Sequence, residues 1–269
     1  MSSFRSPTFL LLFLFQNLAY TENAQTKPKA IFQAACWDQF NSERLVYFPW
    51  DNETEKNATS ISLTIGSSVP SKPFVYYGNS PMKFFRNNSP LNNEPKDENS
   101  ERDLSKVAEF SFENNTGEAE YMFLLFLKQN NSNNLKLFSL DLKQGNLPFG
   151  SFNCYSQFKS NLFIAYGKQK QVLSPGKSVR FQSDEKSASN PLMSVFTKEK
   201  DKYIEQIADF INVSSTKRAI LFFTSFKELP NLKRFYFRRV PNEMALGYNT
   251  PPLILPKSQN LDKNSSLGL

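Results

Sequence analysis

The segment Lys233-Arg234-Phe235-Tyr236-Phe237-Arg238-Arg239 concentrates the residue types best suited to binding chemistry. Read as a strand, it puts Arg234, Tyr236 and Arg238 on one face and Phe235 and Phe237 on the other. Guanidinium groups flanking a phenol can stack with sugar rings or grip phosphates and carboxylates. The same alternation also describes a strand with its Phe side in a core and its Arg side in water, where the charges blunt edge-to-edge pairing. Arg234, Tyr236 and Arg238 are therefore the candidate binding residues, with an anionic polysaccharide or other anionic polymer as the ligand they would suit.

Other chemistry is scarce. The 269 residues include no histidine, which excludes Ser-His-Asp and Cys-His catalysis and removes most transition-metal sites. No Gly-x-Gly-x-x-Gly or Walker loop offers a phosphate cradle. Carboxylates gather at Asp51-Asn52-Glu53, Glu94 to Asp103, Asp184-Glu185 and Glu199 to Asp201. Paired carboxylates suffice for glycoside hydrolysis, and the first cluster offers oxygens to calcium, but each run reads as a solvated loop. No catalytic residue, metal or cofactor is expected. The sequons at Asn52, Asn57, Asn114 and Asn212 are what an Asn- and Ser-rich chain produces by chance.

Cys36 and Cys154 are the two cysteines. In an oxidising compartment they can form a disulfide. Alternatively, Cys154, on the same strand face as Phe152, is a plain buried thiol. The formal charge of +7 is not gathered in one block and favours solubility and anionic surfaces. Nucleic acid is not an expected partner.

The elements that position these residues read as strands. Residues 1–24 resemble a signal peptide, with Arg5 ahead of the short apolar run Phe9 to Phe15. No later apolar run is long enough to span a bilayer as a helix. A polar stretch extends to Gln39, and the first strand is expected at Leu45 to Phe48. Ile61 to Ile65 alternates strictly, and Phe74 to Tyr77 and Met82 to Phe85 flank a turn. Residues 86–106 form a polar loop. Val107 to Phe112, Tyr121 to Leu127 and Leu135 to Leu142 complete a first set of strands.

A second set runs from Gly150 to Val240. Phe123-Leu124-Leu125-Phe126 recurs as Ile220-Leu221-Phe222-Phe223, an offset of 220 − 123 = 97. Asn134-Leu135-Lys136 recurs as Asn231-Leu232-Lys233 at the same offset, and Val75, Met82 and Phe84 fall on Val172, Val179 and Phe181. An ungapped repeat of this length predicts two copies of one domain. Tyr203 to Asn212 fits a short helix by spacing, but its counterpart in the first copy reads as a strand. Runs without alternation, such as Phe123 to Leu127, predict strands buried on both faces, one of them against the neighbouring domain.

Leu147-Pro148-Phe149-Gly150-Ser151-Phe152-Asn153, the short apolar strand Leu162 to Tyr166 and the turn Leu173-Ser174-Pro175-Gly176 resemble a pattern in exported tandem β-sandwich proteins of Gram-negative bacteria. That group has no assigned activity, so the resemblance implies a fold and an exported location and carries over no functional residue. Cys154 stands where the pattern has a large apolar residue.

The expectation is an all-β protein of two tandem antiparallel immunoglobulin-like β-sandwich domains, residues 40–145 and 146–241, with a disordered tail at 242–269. It is expected to be periplasmic or extracellular. Its expected role is a non-enzymatic structural or protein-interaction component of the cell envelope, with an envelope protein as partner. The alternative is a carbohydrate- or anionic-polymer-binding module.

Overall fold

Alternation of side chains along each strand decides which layer every residue enters, and the computed structural model bears this out for both halves of the chain. It describes residues 27–38, 45–55, 57–88, 103–113, 118–130, 132–143, 145–183 and 191–239. The proposed signal segment, residues 89–102 of the polar loop and the proposed tail lie outside these residues.

The protein is all-β, with no helix among the described residues. The first half contains β1 (Ala30–Cys36), β2 (Leu45–Tyr47), β3 (Ile61–Ser62), β4 (Phe74–Tyr76), β5 (Met82–Asn87), β6 (Leu104–Phe110), β7 (Glu120–Lys128) and β8 (Leu135–Asp141). The second contains β9 (Ser151–Ser156), β10 (Leu162–Tyr166), β11 (Gln169–Leu173), β12 (Ser178–Gln182), β13 (Leu192–Glu199), β14 (Lys202–Phe210), β15 (Lys217–Phe226) and β16 (Leu229–Arg238). The 202–210 segment is thus a strand, as its counterpart implied.

Each half builds two four-stranded sheets. Their orders are β4-β1-β7-β8 with β3-β2-β5-β6, and β12-β9-β15-β16 with β11-β10-β13-β14. Adding eight to every strand number of the first pair reproduces the second, so the chain is two tandem β-sandwiches of one topology. Even the bulge recurs: register shifts at Phe84/Phe85 in one copy and at Val195/Phe196 in the other.

Three expectations need correction. The first strand is not at Leu45, because β1 precedes it and is buried almost throughout. It is a central strand of its sheet, so the first domain starts before residue 40. Its sequence, Ala30-Ile31-Phe32-Gln33-Ala34-Ala35-Cys36, is rich in small residues that sit between two packed layers without a strong β signal. Nor are the sheets wholly antiparallel, since β1 pairs parallel with β7 and β9 with β15.

The 97-residue offset holds only for β7 and β15; it is 235 − 140 = 95 for β8 and β16, where Leu140 lies opposite Phe123 and Phe235 opposite Ile220. Phe32 and Phe152 occupy equivalent places, opposite Met122 and Ala219, at an offset of 152 − 32 = 120. The offset falls to 195 − 84 = 111 between β5 and β13 and to 207 − 108 = 99 between β6 and β14. Val75, in β4, therefore does not correspond to Val172, in β11.

Three cores result. Phe32, Tyr47, Phe84, Leu124 and Phe126 fill the first sandwich, and Phe152, Tyr166, Phe181, Leu221 and Phe223 fill the second. The third lies between the domains, where Ala35, Phe123, Leu125, Ile220, Phe222, Phe235 and Phe237 pack together. β7 and β15 each send alternate residues to opposite cores, as their unbroken apolar runs predicted. The four sheets therefore stack face to face.

Cys36 and Cys154 are both buried, one in each sandwich core, and are not bonded to each other, so the disulfide alternative is not realised. Burial pushes the Cys154 thiol well above the usual range. Neither should react with a water-soluble aromatic disulfide in the native protein, and both should react after unfolding in guanidinium. A fast native reaction at either would contradict the packing.

Candidate binding face

The Arg-Tyr-Arg face is only partly open. Alternation along β16 is as predicted, but Phe235 and Phe237 point into the seam between domains and Tyr236 packs against the second sandwich core. Arg234 reaches across the sandwich edge and donates to Asp209 of β14. Arg238 is exposed, with Lys217 of β15 as its cross-strand neighbour. The three residues do share one side of the strand. That side, however, is the rim of a core and not a free surface.

The neighbouring positive charges are structural as well. Lys233 donates to the Trp37 backbone oxygen, and its ammonium lies 4.7 Å from the Trp37 ring centroid. Burial lowers its pKa. Arg218 is buried, donates from Nη1 to Leu147 O at 2.8 Å and sits 4.5 Å from the Phe149 ring centroid. Desolvation pushes this guanidinium down to about 10. Both cations fasten the domain junction.

The carboxylates of Asp51-Asn52-Glu53 have a structural task too. They lie in the connection between β2 and β3, which runs over the outer face of the first sandwich. Lys83 Nζ donates to Asp51 Oδ1 at 3.2 Å and to Glu53 Oε1 at 2.6 Å. Burial raises the Glu53 pKa, but the Lys83 hydrogen bond and charge outweigh it and hold the carboxyl below its ordinary value. Trp50 stacks on Tyr77 with ring centroids 4.2 Å apart, and Tyr77 N donates to Pro49 O at 2.7 Å. Gly78 lets this chain pass, since a Cβ there would stand 2.5 Å from Asp51 Cβ. The result is a roof: Phe48 and Ala58 cover Val46 and Phe85, which are 4% and 9% exposed. No group of three acidic or Cys side chains placed to hold a metal occurs among the described residues.

Among the described residues the second sandwich has no counterpart to this roof. Its β10 and β11 are joined by Gly167 and Lys168 alone, with Gly167 at φ 58° in the left-handed region that a two-residue hairpin requires. In the first domain thirteen residues, 48–60, occupy that position in the chain. The residues equivalent to Val46 and Phe85 are Phe163 and Phe196, paired with each other in the same way.

Around them the outer face mixes exposed apolar residues with charges, Glu205 lying opposite Phe196 and Lys198 opposite Tyr203. Val172, Phe163 and Phe196 run across three strands in register, and the Tyr203 ring meets the Phe163 ring edge-on at 4.8 Å. A second row pairs Leu192 with Phe210. Tyr203 is 58% exposed and Phe210 66%. Between the rows lie Lys170, Ala165, Ser194 and Ala208. β14 is also a free edge of its sheet.

None of these residues was a sequence candidate. Leu162 to Tyr166 reads as one apolar strand, and only the equivalence of β2 with β10 shows that half of it is bare. No protein-family model matches the chain, and no curated protein matches it.

Proposed function

We propose that the protein is a non-enzymatic interaction component, exported to the periplasm or beyond, which docks a protein partner on the outer face of β11-β10-β13-β14. One observation carries this reading: the same face is covered by the protein's own chain in the first sandwich, and no described residue covers it in the second. Exposed apolar side chains gathered in this way mark an interaction site more often than a plain solvent face. The adjoining free edge of β14 offers backbone groups for an added strand. Residues 1–24 and the absence of histidine support the exported and non-enzymatic parts of the proposal. The sugar- or anion-binding alternative rests on an Arg-Tyr-Arg face whose phenol packs inward and whose Arg234 is engaged by Asp209.

A photo-reactive phenylalanine analogue at position 203, with a control at position 50, tests this in the native envelope. The expected result is one reproducible protein adduct from position 203, reduced at least tenfold by Leu192→Glu with Phe210→Glu at unchanged thermal stability. Equal labelling from both positions, or an adduct indifferent to the double substitution, would overturn it.

A further inference from the structure

We infer that the β15–β16 turn, with Phe226 and Leu229 at its tip, dips into a lipid surface that carries anionic headgroups. β15 and β16 are ten residues each, the longest strands among the described residues, and their last pair is Phe226 opposite Leu229. Both side chains lie on the side of the strands that carries Phe222 and Phe235 into the core between the domains. At the tip there is no core left to enter, and Phe226 is 63% exposed and Leu229 58%. Lys227 and Glu228 between them have φ of 47° and 68°, the left-handed region that a two-residue hairpin needs and that Asn-Gly would occupy with less strain.

The first copy makes the opposite choice. Its equivalent connection, between β7 and β8, reads Gln129-Asn130-Asn131-Ser132-Asn133-Asn134, without an apolar side chain. The shared topology therefore does not require a phenylalanine and a leucine at this turn. What they contribute lies outside the fold.

The charge around the tip complements a layer of phosphates. β9 ends beside the end of β15, with Ser156 opposite Phe223 and Gln157 N donating to Phe223 O at 2.8 Å. Gly176 N donates to Ser156 O at 2.8 Å, and β13 runs past the start of β10 into its turn with β14. Four connections thus meet at this end of the second sandwich, and each exposes one lysine: Lys159, Lys177, Lys200 and Lys227. The carboxylates in the same connections are Asp201 and Glu228. Lys159 Nζ already donates to Glu228 Oε2 at 3.0 Å, which offsets the charge of the carboxylate nearest the tip.

The two side-chain types match the two layers they would meet. Phe226 and Leu229 gain by leaving water for the region where acyl chains begin, just below the headgroups. Lysine suits the boundary, because its stem lies along apolar groups while its ammonium reaches the phosphates. Lys227 shows this arrangement, with Nζ 5.5 Å from the Phe226 ring centroid. A paired Phe and Leu on a narrow turn needs no preformed pocket in a fluid layer, and exposed cations around it set the preference for anionic lipid.

The test uses the full chain with Leu229→Cys carrying a polarity-sensitive fluorophore. The native Cys36 and Cys154 are buried, so the label goes to position 229. On vesicles of phosphatidylcholine with one quarter phosphatidylglycerol, we expect blue-shifted emission, roughly threefold brighter and quenched by nitroxide-bearing lipid. The same label at Ser215→Cys, in the turn at the opposite end of β15, should not respond. The apolar run Phe9 to Phe15 would tether the chain for both labels alike, whereas an inserted tip sets position 229 apart. Adding Phe226→Gln, and separately using phosphatidylcholine alone, should each reduce the rise about fivefold. No change at 229, equal changes at 229 and 215, or a rise that survives Phe226→Gln or neutral lipid would overturn the inference.

Discussion

Phe222→Ala is expected to cost about 3–5 kcal/mol of folding free energy, the range for emptying a large buried aromatic site. Phe222 stands at the centre of the core between the domains. Its ring lies 5.4 Å from both Trp37 and Tyr155 and 6.1 Å from both Phe138 and Phe235. Trp37 and Phe138 belong to the first half of the chain and the others to the second, so the cavity opens on both sides of the seam. Phe222→Asp should go further, because an unpaired carboxylate there is disfavoured in contact with either sheet. We expect it to split a single unfolding transition into two.

The two tryptophans make the experiment readable, since Trp37 reports the seam and Trp50 the roof of the first sandwich. Urea titration of Phe222→Asp should move the Trp37 signal to lower denaturant than the loss of strand circular dichroism. Coincident transitions with a loss below about 1 kcal/mol, well under the cavity range, would mean that the domains merely touch.

A second large effect is expected in alkali. Tyr47 and Tyr76 are fully buried in the first sandwich. Desolvation raises both phenols well above their ordinary value of 10.0. Asp51 and Glu53 push Tyr76 up further, and the neutral Tyr47 phenol donates to Val75 O at 3.0 Å. The folded state thus keeps two protons that the unfolded state releases near pH 10. Their stabilising contribution is complete below that pH and is lost as pH rises toward the folded-state values. The slope is about 1.4 kcal/mol per pH unit for each phenol, or about 2.7 for the pair. Unfolding free energies measured at successive pH values should fall steeply above pH 10, and Tyr47→Phe with Tyr76→Phe should flatten the decline. An unchanged slope in the double variant would assign the alkaline loss to other groups.

What the sequence disclosed and what it hid follow from how each strand is buried. β7 and β15 are apolar on both faces, so Phe123 to Phe126 and Ile220 to Phe223 announced two central strands and the contact between domains. β1 is just as central, but its neighbours lie close on both sides and it fills the space with alanines, which carry no strand signal. The repeat was legible where the offset between the copies changes little, from 97 at β7 and β15 to 95 at β8 and β16. It was lost where the first copy carries the longer 48–60 and 88–103 connections. The bare face was illegible for the same reason. Phe163 looks like any core residue until its counterpart Val46 is seen beneath a roof.

The place of β1 also constrains the order in which the protein can take shape. β1 sits between β4 and β7, with Ala30 opposite Glu120, so the first strand made must wait about ninety residues for a principal neighbour. The layer between the domains waits longer, because Phe235 and Phe237 belong to the last strand. A chain that emerges from its N-terminus therefore closes its middle last. Pairings this distant in sequence form slowly, so the seam that joins the domains sets the pace of the whole.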